Sequence, residues 1–130
     1  MTNQICLFAK QFKEIDFKNF DRSGKDVAFV SKQNLIKFLQ TLKSGSMAII
    51  FKDAIFAEKF YEENKEQINC TNSTFEEDKL LVTDYNLIKG LEFNDVIIAD
   101  YDSYNLKNEV DKNILFNIAT RATNSLYIEK

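Results

Sequence analysis

A chain of 130 residues is the size of one domain, and 45% hydrophobic and 13% aromatic residues let it bury roughly two-thirds of its unfolded surface in a core. The formal net charge of −3 provides no global basic field for DNA or RNA, so any nucleic-acid contact has to be local or shared with another domain. Histidine is absent and Cys6 and Cys70 match no metal-ligand spacing, which argues against a zinc site and for reduced thiols in a cytoplasmic protein, while no apolar run approaches the ~20 residues of a membrane span and no signal peptide opens the chain.

Ile5, Phe8, Phe12 and Ile15 recur at three- and four-residue spacing, which predicts a helix over 3–15 with one buried face. The run Phe20-Asp21-Arg22-Ser23-Gly24-Lys25 breaks that period with turn formers. Residues 26–30 read as a short apolar strand, after which Ser31 is expected to cap a helix striped by Leu35, Ile36, Leu39 and Leu42 and stopped by Gly45. The continuous apolar run Met47 to Phe51 predicts a strand covered on both faces. Asp53 then caps a helix that buries Ala57, Phe60 and Tyr61 and ends in the solvated Glu62, Glu63, Lys65 and Glu66.

Residues 67–78 are polar and read as a connection; Leu80 to Thr83 and Asp95 to Ala99 are two further buried strands. After a polar stretch from Tyr101 to Val110, Asp111 is expected to cap a last helix carrying Ile114, Leu115, Ile118, Ala119 and Ala122, with Ser125 to Ile128 as the closing strand. Strands alternating with helices in one unit, without internal repeat or linker, predict a three-layer α/β domain with a mainly parallel sheet.

Two places carry candidate chemistry. Lys89-Gly90-Leu91-Glu92-Phe93 follows a strand, and ligands in open α/β sheets bind in loops that leave the carboxyl ends of strands. Gly90 there lets the backbone approach a ligand and Glu92 offers acceptors to sugar hydroxyls; the same residues equally make a plain solvated turn. Arg121, one of two arginines, falls at the edge of the last helix's apolar stripe, where packing would hold its stem while the guanidinium projects as a fixed cation suited to an oxyanion. The competing reading is a surface arginine paired with Glu129 or Asp111.

A resemblance joins the two places. Leu81-Val82-Thr83 through Lys89-Gly90-Leu91-Glu92-Phe93-Asn94-Asp95-Val96-Ile97-Ile98 resembles motif V of UvrD/Rep-type superfamily 1 helicases. Leu115 to Ala122 with Ser125-Leu126-Tyr127-Ile128 resembles their motif VI, with its Thr120-Arg121-Ala122 triplet before a strand. The order and separation match, and weaker likenesses at 2–9, 20–24 and 47–61 extend the resemblance over nearly the whole chain, with the HelD-like branch a plausible relative. The sequence departs at Asn86, where the family often has histidine, and at Phe116, where it has tyrosine.

The resemblance implies the second RecA-like motor domain of an ATP-dependent DNA helicase. It implies that Gly90 passes close to the nucleotide, that Glu92 contacts its ribose, and that Arg121 is the catalytic finger on the γ-phosphate of ATP. Thr83, Asn86 and Lys89 would couple that site to single-stranded DNA. No G-x-x-x-x-G-K-[ST] cradle occurs in the 130 residues. The expectation is therefore a C-terminal fragment or truncated gene product, inactive alone, that shares ATP and Mg2+ with an N-terminal RecA-like domain holding most of both. The alternative is a stand-alone nucleotide- or protein-binding regulatory module that kept the fold after losing the motor.

Overall fold

Five consecutive buried residues, Met47–Phe51, form a strand at the middle of a six-stranded sheet. The computed structural model describes residues 3–9, 27–41, 45–73, 76 and 78–130. In chain order these give α1 (Asn3–Ala9), β1 (Ala28–Val30), α2 (Leu35–Thr41), β2 (Met47–Phe51), α3 (Ala54–Asn64), β3 (Cys70–Thr71), β4 (Leu80–Asp84), β5 (Phe93–Ile98), α4 (Glu109–Ala119) and β6 (Ala122–Glu129). The strand order is β1-β6-β5-β2-β4-β3, and every described strand pair is parallel. The predicted three-layer α/β fold with a parallel sheet is what the chain adopts.

The period of two along β2 divides the core. Ala48 and Ile50 join Ile5 and Phe8 of α1 and Leu115 and Ile118 of α4 on one face. Met47, Ile49 and Phe51 join Leu35 and Leu39 of α2 and Ala57 of α3 on the other. The inner strands β2, β4, β5 and β6 thus contribute to core layers on both faces, which is why the sequence shows apolar runs there and not polar alternation. β2 leaves through α3 on one face and β5 through α4 on the other, so the chain changes direction between these two adjacent strands.

Several boundaries differ from the sequence expectation. The segment after Ser31 opens as a 3-10 turn at Lys32–Asn34 and becomes α-helical only at Leu35, and the Ser31 side chain makes no capping bond. Gly45 does adopt φ +91. The expected turn at 20–25, the 10–15 part of the first helix and Leu42 lie outside the described residues. The polar stretch 67–78 contains β3, a two-residue edge strand too short to leave a periodic signal. Asp53 caps α3 as expected, accepting from the Phe56 N–H at 3.4 Å.

Asp111 does not cap α4. That place belongs to Asn108, whose Oδ1 accepts from the Val110 and Asp111 N–H groups. Asp111 is instead drawn into the first turn of the helix, with 9% of its side chain exposed. There it accepts from the Asn105 N–H at 2.7 Å and from Lys52 Nζ at 3.0 Å. Lys52 immediately follows β2, so this ion pair ties the end of the central strand to the start of α4. The Asn105 N–H above all, and then Lys52, hold the Asp111 carboxyl below the usual carboxylate range against the opposing effect of burial.

That direction sets a pH dependence. A folded value below the unfolded one, about 3.9 for aspartate, gives stability that is complete above the unfolded value and lost as pH falls through the folded one. Asp111→Asn is expected to destabilise the domain by about 1–2 kcal/mol at neutral pH, and the gap between variant and wild type should narrow as pH falls below the unfolded value of about 3.9 and on through the lower folded one. Urea unfolding at the two pH values measures both effects; a gap independent of pH would show that the charge of Asp111 contributes nothing.

Candidate functional site

β4 and β5 run parallel, so the chain between them must travel back along the sheet. It does so in eight residues, 85–92, laid over the layer that contains α1 and α4. The Asp84 carboxylate starts the segment by accepting from the Asn86 N–H at 3.1 Å, which closes a 3-10 turn at Tyr85–Leu87. Ile88, 2% exposed, pins the middle into the core, and Tyr85 packs against the same layer. A turn closed by Leu91 N–H on the Ile88 carbonyl at 3.0 Å follows, with Gly90 in its third place at φ +79, where such turns require a positive φ. Lys89, Gly90 and Glu92 therefore lie beside the amino end of β5, not at the carboxyl ends of the strands as the sequence reading had placed them. Both Lys89 and Glu92 are exposed.

Arg121 is not on α4. The helix ends at Ala119, Thr120 is its C-cap, and Arg121 fills the single place between that cap and β6. Its N–H donates to the Ile118 carbonyl at 3.0 Å and its carbonyl accepts from the Phe93 N–H at 2.9 Å. The second of these bonds joins the Lys89–Phe93 stretch directly to the Thr120–Ala122 stretch. Phe93, 2% exposed, anchors the junction beneath α4. The β5–β6 register shifts between Phe93 and Asp95, which lets Phe93 and Val96, three residues apart, enter the same core layer.

The Arg121 guanidinium is lightly held. Nη2 reaches Thr120 Oγ1 at 3.5 Å, and the buried Nε has no hydrogen-bond partner among the described residues. The two carboxylates that the sequence offered as partners, Asp111 and Glu129, are engaged elsewhere. Asp111 lies at the far end of α4 with Lys52, and Glu129 accepts from the Asp100 N–H at 2.7 Å. Pairing with Glu129 or Asp111 is thereby set aside.

Between the 85–89 segment and the last turn of α4 lies a cleft of about 520 Å³ lined by Tyr85, Asn86, Ile88, Lys89, Asn117 and Arg121. Among the described residues two cations and no carboxylate line it, so the field they set favours an anion although the chain as a whole is acidic. Three of the expected site residues, Asn86, Lys89 and Arg121, meet there. Gly90 and Glu92 lie just beyond its rim in sequence and do not line it, and Thr83 is buried within β4. Tyr85 and Asn117 were missed. Asn117 had a legible signal, because residues four apart on a helix share a face and it stands four before Arg121; Tyr85 had none.

The carboxyl ends of the strands hold a second, smaller crevice of about 200 Å³, with Lys32, Lys52, Lys59, Asp100 and Glu129 among its lining. Its charges are largely matched internally: Lys32 binds Asp100 at 2.6 Å, a contact that raises the lysine pKa, while burial raises that of Glu129. No group of three or more His, Cys, Asp or Glu side chains among the described residues could hold a metal ion. No described helix is long and apolar enough to cross a membrane.

Among solved structures, the chain is similar to the C-terminal domain of a possible DNA helicase from Lactobacillus plantarum WCFS1, with a TM-score of 0.67 and 22% identity. The match covers 98% of this chain and 84% of that one. At that identity the likeness establishes the fold, and it does so over nearly the full length described by the resemblance of the sequence. No protein-family model and no curated protein matches the chain.

Gly90 offers a direct check on the turn. A Cβ there would meet nothing within 4 Å, so the cost of a side chain is the backbone conformation alone. Gly90→Ala is expected to destabilise by about 1–2 kcal/mol, and Gly90→Asn by clearly less, because asparagine tolerates a positive φ. Chemical denaturation of both variants decides; equal losses would mean that φ at this position is not what limits the substitution.

Proposed function

We propose that this chain is the second motor domain of an ATP-dependent DNA helicase or translocase, supplying Arg121 to an ATP site completed by an N-terminal RecA-like domain. The observation that supports it most is the Arg121 cleft. Two segments that resemble helicase motifs V and VI are bonded together through Phe93 and Arg121, and the arginine stands beside them without a carboxylate partner among the described residues. The fold shared with the C-terminal domain of a possible DNA helicase agrees with that reading.

In this scheme water attacks the γ-phosphorus of ATP, the bond to the β–γ bridging oxygen breaks, and negative charge grows on the transferring group and on ADP. Arg121 meets that charge with a guanidinium that is always protonated and can bond two oxygens at once. Its backbone is fixed on both sides by Ile118 and Phe93, so the cation is aimed by the sheet and not by a loose loop. Glu92 and Gly90 would border the nucleotide at the amino end of β5. Thr83, Asn86 and Lys89 would relay its state to single-stranded DNA. The described residues do not fit Mg2+, so the metal would travel with the phosphates on the N-terminal domain. The chain carries no phosphate cradle of its own and would not turn over ATP unaided.

In a polypeptide that joins this domain to its N-terminal partner, Arg121→Ala is expected to lower ATP turnover by about 10³-fold or more, with nucleotide affinity largely kept. Unchanged turnover would reject the finger. For the 130-residue chain alone, calorimetric titration should find ATP affinity far weaker than micromolar; a micromolar site would contradict the shared arrangement.

A further inference from the structure

We infer that Asn117 is a ligand contact in the Arg121 cleft, where its side-chain amide accepts a hydrogen bond from the nucleoside part of a nucleoside phosphate. The inference rests on the proposal that Arg121 meets the phosphate, and it adds a residue that neither the motif resemblance nor the fold comparison assigns. Among the described residues the cleft has two walls. Tyr85, Asn86, Ile88 and Lys89 form one, and Asn117 and Arg121, from the end of α4, form the other. At about 520 Å³ it is much larger than an inorganic phosphate requires and falls in the range of small-molecule sites.

Asn117 is oriented before any ligand arrives. Its Nδ2 donates to the Asn113 carbonyl at 2.9 Å, which fixes the plane of the amide. The Oδ1 acceptor and the second N–H of Nδ2 then have no partner among the described residues. The carbonyl of Asn117 accepts from Thr120 Oγ1 at 3.1 Å, and that same oxygen is the one approached by Arg121 Nη2. The Asn117 backbone carbonyl, the threonine hydroxyl and the guanidinium therefore form one short run of polar groups at the end of α4.

The choice of amide over carboxylate also matters. An acid at position 117, in the same cleft wall as Arg121, would pair with it and quench the cation. Asparagine matches aspartate in size, brings an amide acceptor to the residues that line the cleft, and leaves the charge of Arg121 for the ligand. Oδ1 cannot bond a phosphate oxygen, because both are acceptors. It is matched by a hydroxyl or amine donor, which a nucleoside carries at any pH and fully ionised pyrophosphate lacks.

Amide-proton spectra of the isotopically labelled 130-residue chain test this directly. With only two arginines the side-chain Nε–H region holds two signals, and Arg121→Lys identifies the one of interest. The Arg121 signal in wild type should shift saturably with ATP and, more weakly, with pyrophosphate at matched ionic strength. Asn117→Ala should weaken ATP binding roughly three- to ten-fold, the value of one hydrogen bond, while leaving pyrophosphate binding unchanged. Asn117→Asp should weaken both by more than about ten-fold, because it neutralises the cation that both use. Backbone spectra of each variant report on folding, and Asn117→Ser takes the place of an alanine variant that fails to fold.

Unchanged ATP binding in Asn117→Ala overturns the contact, equal weakening of ATP and pyrophosphate overturns its assignment to the nucleoside, and a wild-type Arg121 signal that responds to neither ligand overturns the site. Each result is separate from turnover in Arg121→Ala, on which the finger itself stands or falls.

Discussion

The hydrogen bond from the Phe93 N–H to the Arg121 carbonyl is the constraint on which the rest of the candidate site depends. Two segments nearly thirty residues apart reach the amino edge of the sheet from different directions, one after crossing a helical layer and one off the end of α4. At 2.9 Å this bond begins the β5–β6 pairing and sets where both side chains point. Its position is protected. Phe93 is buried beneath α4, Ala122 on the other strand is wholly buried, and a hydrogen bond in such surroundings is both stronger and costlier to break than one in water. The Arg121 backbone, clamped by Ile118 on one side and Phe93 on the other, has little freedom left. Only its side chain remains uncommitted.

α4 extends that constraint across the domain. Eleven residues of helix span about 16 Å, and the helix is fastened at both ends by different means. At its start Asp111 is held by Lys52 from the end of β2; at its finish the chain turns straight into β6 through Arg121. Between them Ile114, Leu115, Phe116, Ile118 and Ala119 bind it to the sheet. The carboxyl edge near Lys52 and the amino edge at Arg121 are thus joined by one continuous helix and not by a loop. Asp111 serves this tie because it was not used as the helix cap. Asn108 takes that place and frees the carboxylate for the sheet.

Burial was easy to read in the sequence and closure was not. Met47 to Phe51 announced a two-sided strand because no polar side chain interrupts it, and the structure buries all five residues. The fold class followed from such runs alternating with helical periods. Helix ends were harder, because Asn108 and Asp111 are both good capping residues, and the Asp111 carboxylate is drawn off by the Asn105 N–H and by Lys52, the latter fifty-nine residues away. The site was legible in its parts and illegible in its placement. Gly90 and Arg121 could be picked out by residue type, but periodicity ran the last helix on through Ala122, whereas the Ala119–Ala122 segment leaves the helix to begin pairing with Phe93. A pairing preference of that kind is a long-range choice, invisible to local spacing. Likewise the return path of 85–92 follows from β4 and β5 being parallel, a fact about topology that no residue in the segment declares.

The state of the Arg121 side chain gives the arrangement its direction. A buried donor left without an acceptor costs about 1–3 kcal/mol, and the Nε of Arg121 is such a donor among the described residues. The fold tolerates it although half-buried polar side chains stand nearby, Asn117 and Thr120 among them, and although the acidic chain has twenty carboxylate side chains that a small rearrangement could have supplied. A pairing carboxylate would relieve the donor permanently and abolish the local positive field of the cleft. An anion that enters and leaves relieves it only while bound, so the unsatisfied donor becomes a contribution to affinity that the empty cleft lacks. On the proposed reading that anion is the terminal phosphate of a nucleotide carried by another domain. The same imbalance would then favour approach of the two domains when the phosphate is present and their separation once it has gone.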